Sequence, residues 1–217
     1  NIFMKLSGDS EEEILKYFPD LTTRQQAQFE ALYDIYGVWN ERINVISRKD
    51  FSSLYLKHVL HSLSLARLLR PALSAEILDI GCGGGFPTVP LAIMFPEAAF
   101  TAADSIGKKI TVVKEVCKAA GIENVTAVNS CAEQIDGRFD YVVSRAVAPM
   151  SDLIKWSWNK IRVGATGNMP NGILALKGGD LTEEMAATGR EYETFEISKW
   201  FDEEFFATKK IVFVEKR

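Results

Sequence analysis

The run Glu76-Ile77-Leu78-Asp79-Ile80-Gly81-Cys82-Gly83-Gly84-Gly85-Phe86-Pro87 constrains the fold more than any other segment. An apolar strand ends near an acidic residue, glycines follow at alternate positions 81, 83 and 85, and a helix-like stretch runs from Thr88 to Met94. Glycines let a backbone turn sharply and lie against a ligand with no Cβ in the way. The start of the following helix offers free N–H groups to an anionic part of that ligand. The pattern predicts a nucleotide-type site at a strand-to-helix turn.

The spacing narrows the ligand. A dinucleotide fingerprint needs G-x-G-x-x-G, but counting from Gly81 puts Phe86 at its third glycine, and Gly85 comes one residue early. No Gly-Lys-Ser/Thr closes the run, which excludes a P-loop. Asp79 would sit badly beside a pyrophosphate and well beside an ammonium. S-adenosylmethionine has that cationic amino-acid end, a carboxylate for the backbone N–H groups, and no phosphate.

Up to about Ser74 the apolar spacing is helical. It predicts helices over Glu11–Phe18, capped by Ser10, over Thr22–Arg42, with a broad face from Phe29 to Trp39, and over Phe51–Leu69. From Ala75, strands alternate with helices, the signature of parallel βαβ units. The expected strands are 76–80, 99–103, 124–129, 141–144, 173–177, 194–200 and 210–215, and the expected helices 88–94, 108–120, 150–160 and 181–190. The last two strands follow each other directly and read as an antiparallel hairpin. The expected fold is therefore α/β, a Rossmann-like, mostly parallel seven-stranded sheet of the class I S-adenosylmethionine-dependent methyltransferase type. Residues 1–74 are read as an N-terminal helical extension and 75–217 as the cofactor-binding domain, joined by a linker near Arg70–Ala75. The polar stretch Gly164–Asn171 reads as a mobile loop.

Composition excludes several classes. No stretch approaches the roughly 18 apolar residues of a membrane span, and Asn1-Ile2-Phe3-Met4-Lys5 has no secretory pattern. Three cysteines without C-x-x-C spacing point to reduced thiols and a cytoplasmic protein. With only His58 and His61 beside them, no metal is expected. The net charge of −4 does not advertise nucleic-acid binding, but local patches decide that.

In an open parallel sheet, ligands bind beyond the carboxyl ends of the strands. After the second strand stands Asp104, suited to accept from both ribose hydroxyls of an adenosine. After the third come Cys131-Ala132-Glu133, placed to edge the adenine. Ser144-Arg145-Ala146-Val147-Ala148-Pro149 follow the fourth, and Lys177-Gly178-Gly179 the fifth. Neither the Pro-Pro-aromatic motif of exocyclic-amine methyltransferases nor a Pro-Cys pair for attack on a pyrimidine carbon follows the fourth strand. No general base is evident. A ring nitrogen with its own lone pair would need none, only alignment with the methyl group and exclusion of water.

Several segments spread along the chain carry a family resemblance. Trp39-Asn40-Glu41-Arg42-Ile43-Asn44-Val45-Ile46 is similar to W-N-x-x-I-N-L-T, Lys57-His58-Val59-Leu60-His61-Ser62-Leu63 to K-H-x-x-D-S-L, and Asp79–Pro87 to D-[IV]-G-[ST]-G-[AG]-G-F-P. Asp104-Ser105 with Lys108-Lys109, Ala132-Glu133, Val143–Ala148 and Leu176-Lys177-Gly178-Gly179 complete the set. Together they resemble the bacterial guanine-N7 methyltransferases of small-subunit ribosomal RNA, RsmG, formerly the glucose-inhibited division protein B. The resemblance implies methyl transfer from S-adenosylmethionine to N7 of one guanine in 16S ribosomal RNA. It carries over Gly81, Phe86, Ala132, Glu133 and Arg145 as cofactor-site positions and joins Asp104 and Ser105 to them. With Asp79, Gly83 and Gly85 these are the expected cofactor-binding residues, and Arg145 is also the expected positioning residue for catalysis. Two departures stand out: His61 where the family has Asp, and Thr88 where a glycine commonly follows Phe-Pro.

RNA contact is expected on the basic stretch Asn40–Arg70, where Arg42, Arg48, Lys49, Lys57, Arg67 and Arg70 face only Glu41 and Asp50. Arg42, Asn44, Arg48, Lys49, Lys57, His58 and Lys177 are the candidate contacts, and the acidic segment Glu183–Glu204 is expected to face away. The expected partner is 16S ribosomal RNA or the small subunit, met by a monomer. Two alternatives stay open: a small-molecule acceptor at the same cofactor site, or a non-catalytic assembly factor that binds the cofactor.

Overall fold

The computed structural model describes residues 9–145 and 148–217. Ala146 and Val147 of the Ser144–Ala148 motif, and the start Asn1–Lys5, lie outside the described residues. Seven strands form one sheet: β1 (Glu76–Ile80), β2 (Ala99–Asp104), β3 (Val125–Asn129), β4 (Tyr141–Arg145), β5 (Gly172–Gly178), β6 (Glu193–Glu196) and β7 (Lys209–Glu215). Their order is β3-β2-β1-β4-β5-β7-β6. β7 inserts between β5 and β6 and runs antiparallel to both, while β1 to β5 are parallel. Strand order therefore reverses between β1 and β4, which opens a crevice at their carboxyl ends.

The helices are α1 (Glu12–Tyr17), α2 (Thr23–Arg42), α3 (Arg48–Phe51), α4 (His61–Leu63), α5 (Leu65–Leu68), α6 (Thr88–Met94), α7 (Gly107–Ala120), α8 (Met150–Ser157) and α9 (Thr182–Ala186). Alternate side chains of the central strands go to opposite faces, and both faces are covered. Ile77, Phe100, Val143 and Leu176 join Phe29, Leu32, Tyr36 and Leu60 of the N-terminal helices and Val89 and Val113 of α6 and α7 in one core. Leu78, Ile80, Val142 and Ala175 join Met150, Leu153 and Met185 of α8 and α9 in the other. Burial on both faces explains why these strands read as nearly unbroken apolar runs.

The element between Phe51 and Leu69 differs from the single helix its spacing predicts. After α3 the chain widens into a π-helical stretch, Leu54–Leu60, before α4 and α5. The Asp9 carboxylate accepts from the N–H groups of Tyr55 and Leu56 at 3.1 and 2.8 Å, which caps this stretch from outside. The Ser62 and Ser64 hydroxyls donate back to the carbonyls of His58 and His61, both at 2.6 Å, and such bonds disturb a regular ladder. Elsewhere, α8 gives way to a 3₁₀ turn at Trp158, α9 stops at Ala186, and β6 ends at Glu196. Glu11 holds the N-cap position of α1, and the side-chain bond to its first turn comes from Ser10, whose hydroxyl accepts from Glu12 N–H at 3.3 Å. Residues 164–171, expected to be a mobile loop, are pinned. Asn171 holds Thr166 and Arg162, Asn168 holds Leu68 and Arg70, and the Tyr141 hydroxyl donates to the Met169 carbonyl.

Candidate cofactor and acceptor site

The glycine run forms the turn from β1 into α6. Gly83 has φ +55° and open space where a Cβ would stand, and Gly85 has φ +116° with Val89 and the Tyr36 hydroxyl pressed against it. The Asp104 carboxylate straps this turn to the end of β2: one oxygen accepts from Gly83 N–H and the other from Ile106 N–H, both at 2.9 Å. Beside the turn, a cleft of about 330 Å³ opens at the carboxyl ends of β1, β2 and β3. Gly81, Asp104, Ser105, Ala132 and Glu133 line it, as the sequence places them, and Cys131 joins them. Lys109 and the indole of Trp156 line it too and were missed. Lys109 stands in a quoted motif, but Trp156 reads in sequence as one more apolar position of a helix.

Asp79 lies under the turn, fully buried. One of its oxygens accepts from both the hydroxyl and the N–H of Thr88, at 2.6 and 3.1 Å. The other has no hydrogen-bond partner among the described residues. Burial pushes this carboxyl up to about 7, against the opposing pull of the Thr88 bonds and of Arg145. Thr88, one of the two departures from the family pattern, thus serves as a donor to the acidic residue of the turn.

Phe86, 4% exposed, is set behind the turn instead of lining the cleft. Its ring packs on Tyr36 at 5.1 Å and His58 at 5.5 Å, and the Arg145 guanidinium lies over it at 5.3 Å. The Tyr36 hydroxyl donates to the Gly84 carbonyl at 2.8 Å. Arg145, at the end of β4, donates to Nδ1 of His58 at 3.1 Å and to the Lys57 carbonyl at 3.4 Å. A guanidinium can only donate, so Nδ1 accepts and the proton of the neutral ring sits on Nε2. Burial first, then the Arg145 charge, lowers His58 to about 4, which keeps the ring neutral. Its Nε2 has no hydrogen-bond partner among the described residues.

The candidate RNA contacts divide. Arg42, Asn44, Arg48 and Lys49 are exposed around the connection from α2 to α3, with Arg42 over Trp39. Lys57 is half-buried and pairs with Asp50 at 3.3 Å. His58 and Lys177 are committed internally. Lys177, its side chain 9% exposed, pairs with Glu184 at 2.9 Å and donates to the Ala148 carbonyl. A larger open depression of about 680 Å³, near Trp158 and Arg190, lies at the amino end of β5 and so far from the glycine turn. Among the described residues no cluster of His, Cys, Asp or Glu could hold a metal, and no helix is long and apolar enough to cross a membrane.

Residues 25–211 match the model of the rRNA small subunit methyltransferase G family. The chain belongs to this family. A ribosomal RNA small subunit methyltransferase G from Flavobacterium psychrophilum is 51% identical over 203 residues, which cover 94% of this chain and 97% of the relative. One from Bacteroides fragilis is 50% identical over 201 residues, 93% of this chain and 98% of the relative. Among solved structures, the 16S rRNA N2 G1207 methyltransferase of T. thermophilus, in complex with AdoMet and guanosine, superposes with a TM-score of 0.55. It is 19% identical, over 74% of this chain and 43% of that one, and shows the shared fold. YcgJ of Bacillus subtilis superposes at 0.53 with 13% identity, over 73% of this chain and 99% of that one. Membership in the methyltransferase G family accounts for the methyltransferase fold.

Proposed function

We propose that this protein transfers the methyl group of S-adenosylmethionine to N7 of one guanine in 16S ribosomal RNA of the small subunit. Its match to the methyltransferase G family over nearly its whole length carries the reading. The residues fit the cofactor: the Asp79 carboxylate, with one oxygen unpartnered beneath the turn, would supply the negative charge for its ammonium, and the open space at Gly83 would admit its methionine end. Each Asp104 oxygen keeps a lone pair that would serve a ribose hydroxyl, and Ala132, Glu133 and Trp156, which line the cleft, would border the adenine.

Bound there, the cofactor would supply an electrophilic methyl on a sulfonium, and an acceptor with the free lone pair of N7 would need no residue of this chain to remove a proton. The protein's task is alignment and exclusion of water. Arg145, held by His58 and by the Phe86 ring, fixes the acceptor side of the cleft. A small subunit lacking the modification, incubated with the protein and labelled S-adenosylmethionine, should yield 7-methylguanosine on nucleoside mass spectrometry of its 16S RNA. Cofactor binding without transfer, or transfer to small molecules alone, would overturn the reading.

A further inference from the structure

The described residues bring Lys209, distant in sequence from the basic stretch 40–70, together with Lys57 of that stretch on one aromatic ring. Phe205 stands in the 3₁₀ turn Glu204–Phe206, just before β7. Its ring meets the edge of buried His61 at 5.6 Å and 87°. The ammonium groups of Lys209 and Lys57 lie over that ring at 4.9 and 5.9 Å. Lys209 is the first residue of β7 and pairs with Gly178 at the carboxyl end of β5. Because β7 is antiparallel, its start lies on the same edge as the ends of β1, β2 and β4, where the cofactor cleft opens. Lys57 joins the two sites, since its carbonyl accepts from Arg145.

We propose that Phe205, Lys209 and Lys57 form a phosphate-binding platform for the RNA strand that carries the acceptor guanine. The inference rests on the function proposed above. An aromatic ring attracts an ammonium group without neutralising it, so Lys209 keeps its charge for phosphate. Among the described residues Lys209 makes no ion pair, and Lys57 makes one partly exposed pair, with Asp50, which a phosphate can displace. The platform is tied to Arg145 through the Lys57 carbonyl, and it presents its ammonium groups on a ring instead of enclosing a small anion. A polyanionic strand that passes its base to Arg145 fits it. The acidic segment ending at Glu204 then marks the outer border of the RNA path.

The test uses the full-length protein and unmodified small subunits, with wild type in parallel. K209E should raise KM for the subunit about tenfold, with melting temperature and S-adenosylmethionine affinity held. K209A should make the slope of log affinity against log salt shallower by about 0.7 to 0.9, the loss of one phosphate contact. F205L, which keeps the apolar packing but removes the ring face, should shift KM in the same direction by less. Binding to protein-free 16S RNA should weaken in parallel. Unchanged KM and salt slope in K209E and K209A would overturn the platform. So would a loss confined to the intact particle, because that would place a ribosomal protein on it. An inactive wild type would remove the functional reading itself, and an active wild type with indifferent variants would remove only this inference.

Discussion

Asp79 carries the sharpest consequence at the level of single residues. Its folded carboxyl sits near 7, raised from an ordinary 3.8 by burial. The folded protein therefore keeps a proton that the unfolded chain has already lost across that window. Stability should fall as pH rises from about 4 to about 7, with the penalty complete above the folded value. A cationic ligand works the other way, since it pairs with the ionised form. Affinity for S-adenosylmethionine should rise with pH through about 7 in wild type and stay flat in Asp79→Asn, by calorimetry; melting curves over the same range check the stability arm. Asp104 offers an independent measurement. Asp104→Ala removes the strap to Gly83 and the proposed ribose acceptor, and should weaken cofactor binding by about 1.5–3 kcal/mol, the range for bonds to a charged group. Unchanged affinity would take Asp104 out of the site.

At the level of elements, the glycine turn is locked from two sides, and its glycines answer differently to the same change. Gly85→Ala would bring a Cβ to 2.7 Å from Val89 and 2.9 Å from the Tyr36 hydroxyl, an overpacking that costs about 1–3 kcal/mol. Gly83→Ala meets nothing within 4 Å and costs only the left-handed backbone, about 1–2 kcal/mol. Thermal melts of the ligand-free proteins should rank Gly85→Ala as the less stable, while Gly83→Ala loses cofactor affinity beyond its stability loss. The contact between Arg145 and the π-helical stretch gives a second test. Arg145→Lys and His58→Ala should both stay folded and lose most methylation of the small subunit, because Lys cannot reproduce the guanidinium fork and Ala removes the nearer of its two acceptors. Full activity in the folded variants would reduce this contact to packing. What the sequence made legible here follows the physics. Strands buried on both faces write themselves as apolar runs, and a backbone turning at positive φ writes itself as glycine. The π-helical stretch was hidden because one of the groups that bonds it, the Asp9 carboxylate, lies 46 residues from Tyr55. His58 and Lys177 looked like RNA contacts because a basic residue in sequence does not show whether its charge is already spent. Trp156 and Lys209 escaped because only folding brings one to the cofactor cleft and the other to the Phe205 ring.

Across the whole molecule, the N-terminal helices share their core with the sheet. Phe29, Leu32, Tyr36 and Leu60 are at most 1% exposed, packed in one cluster with residues of β1, β2 and α6. Removing residues 1–74 would uncover that face of the sheet and release Phe86 and Arg145 together. Such a truncated chain should fail to bind S-adenosylmethionine and should expose apolar surface to a hydrophobic dye, whereas the full chain should unfold in one cooperative step. A soluble truncated chain with unchanged cofactor affinity would show that the site needs only the sheet. The insertion of β7 between β5 and β6 sets an order of events as well. β6 has no neighbour in the sheet except β7. During synthesis β1 to β5 can pair as they leave the ribosome, but β6 must wait without partners until residues 209–215 emerge. Until then β5 also stands as a bare edge, open to pairing with another nascent chain. The strand made last is the one that seals the sheet, and the same residue that begins it, Lys209, completes the rim where RNA is proposed to dock.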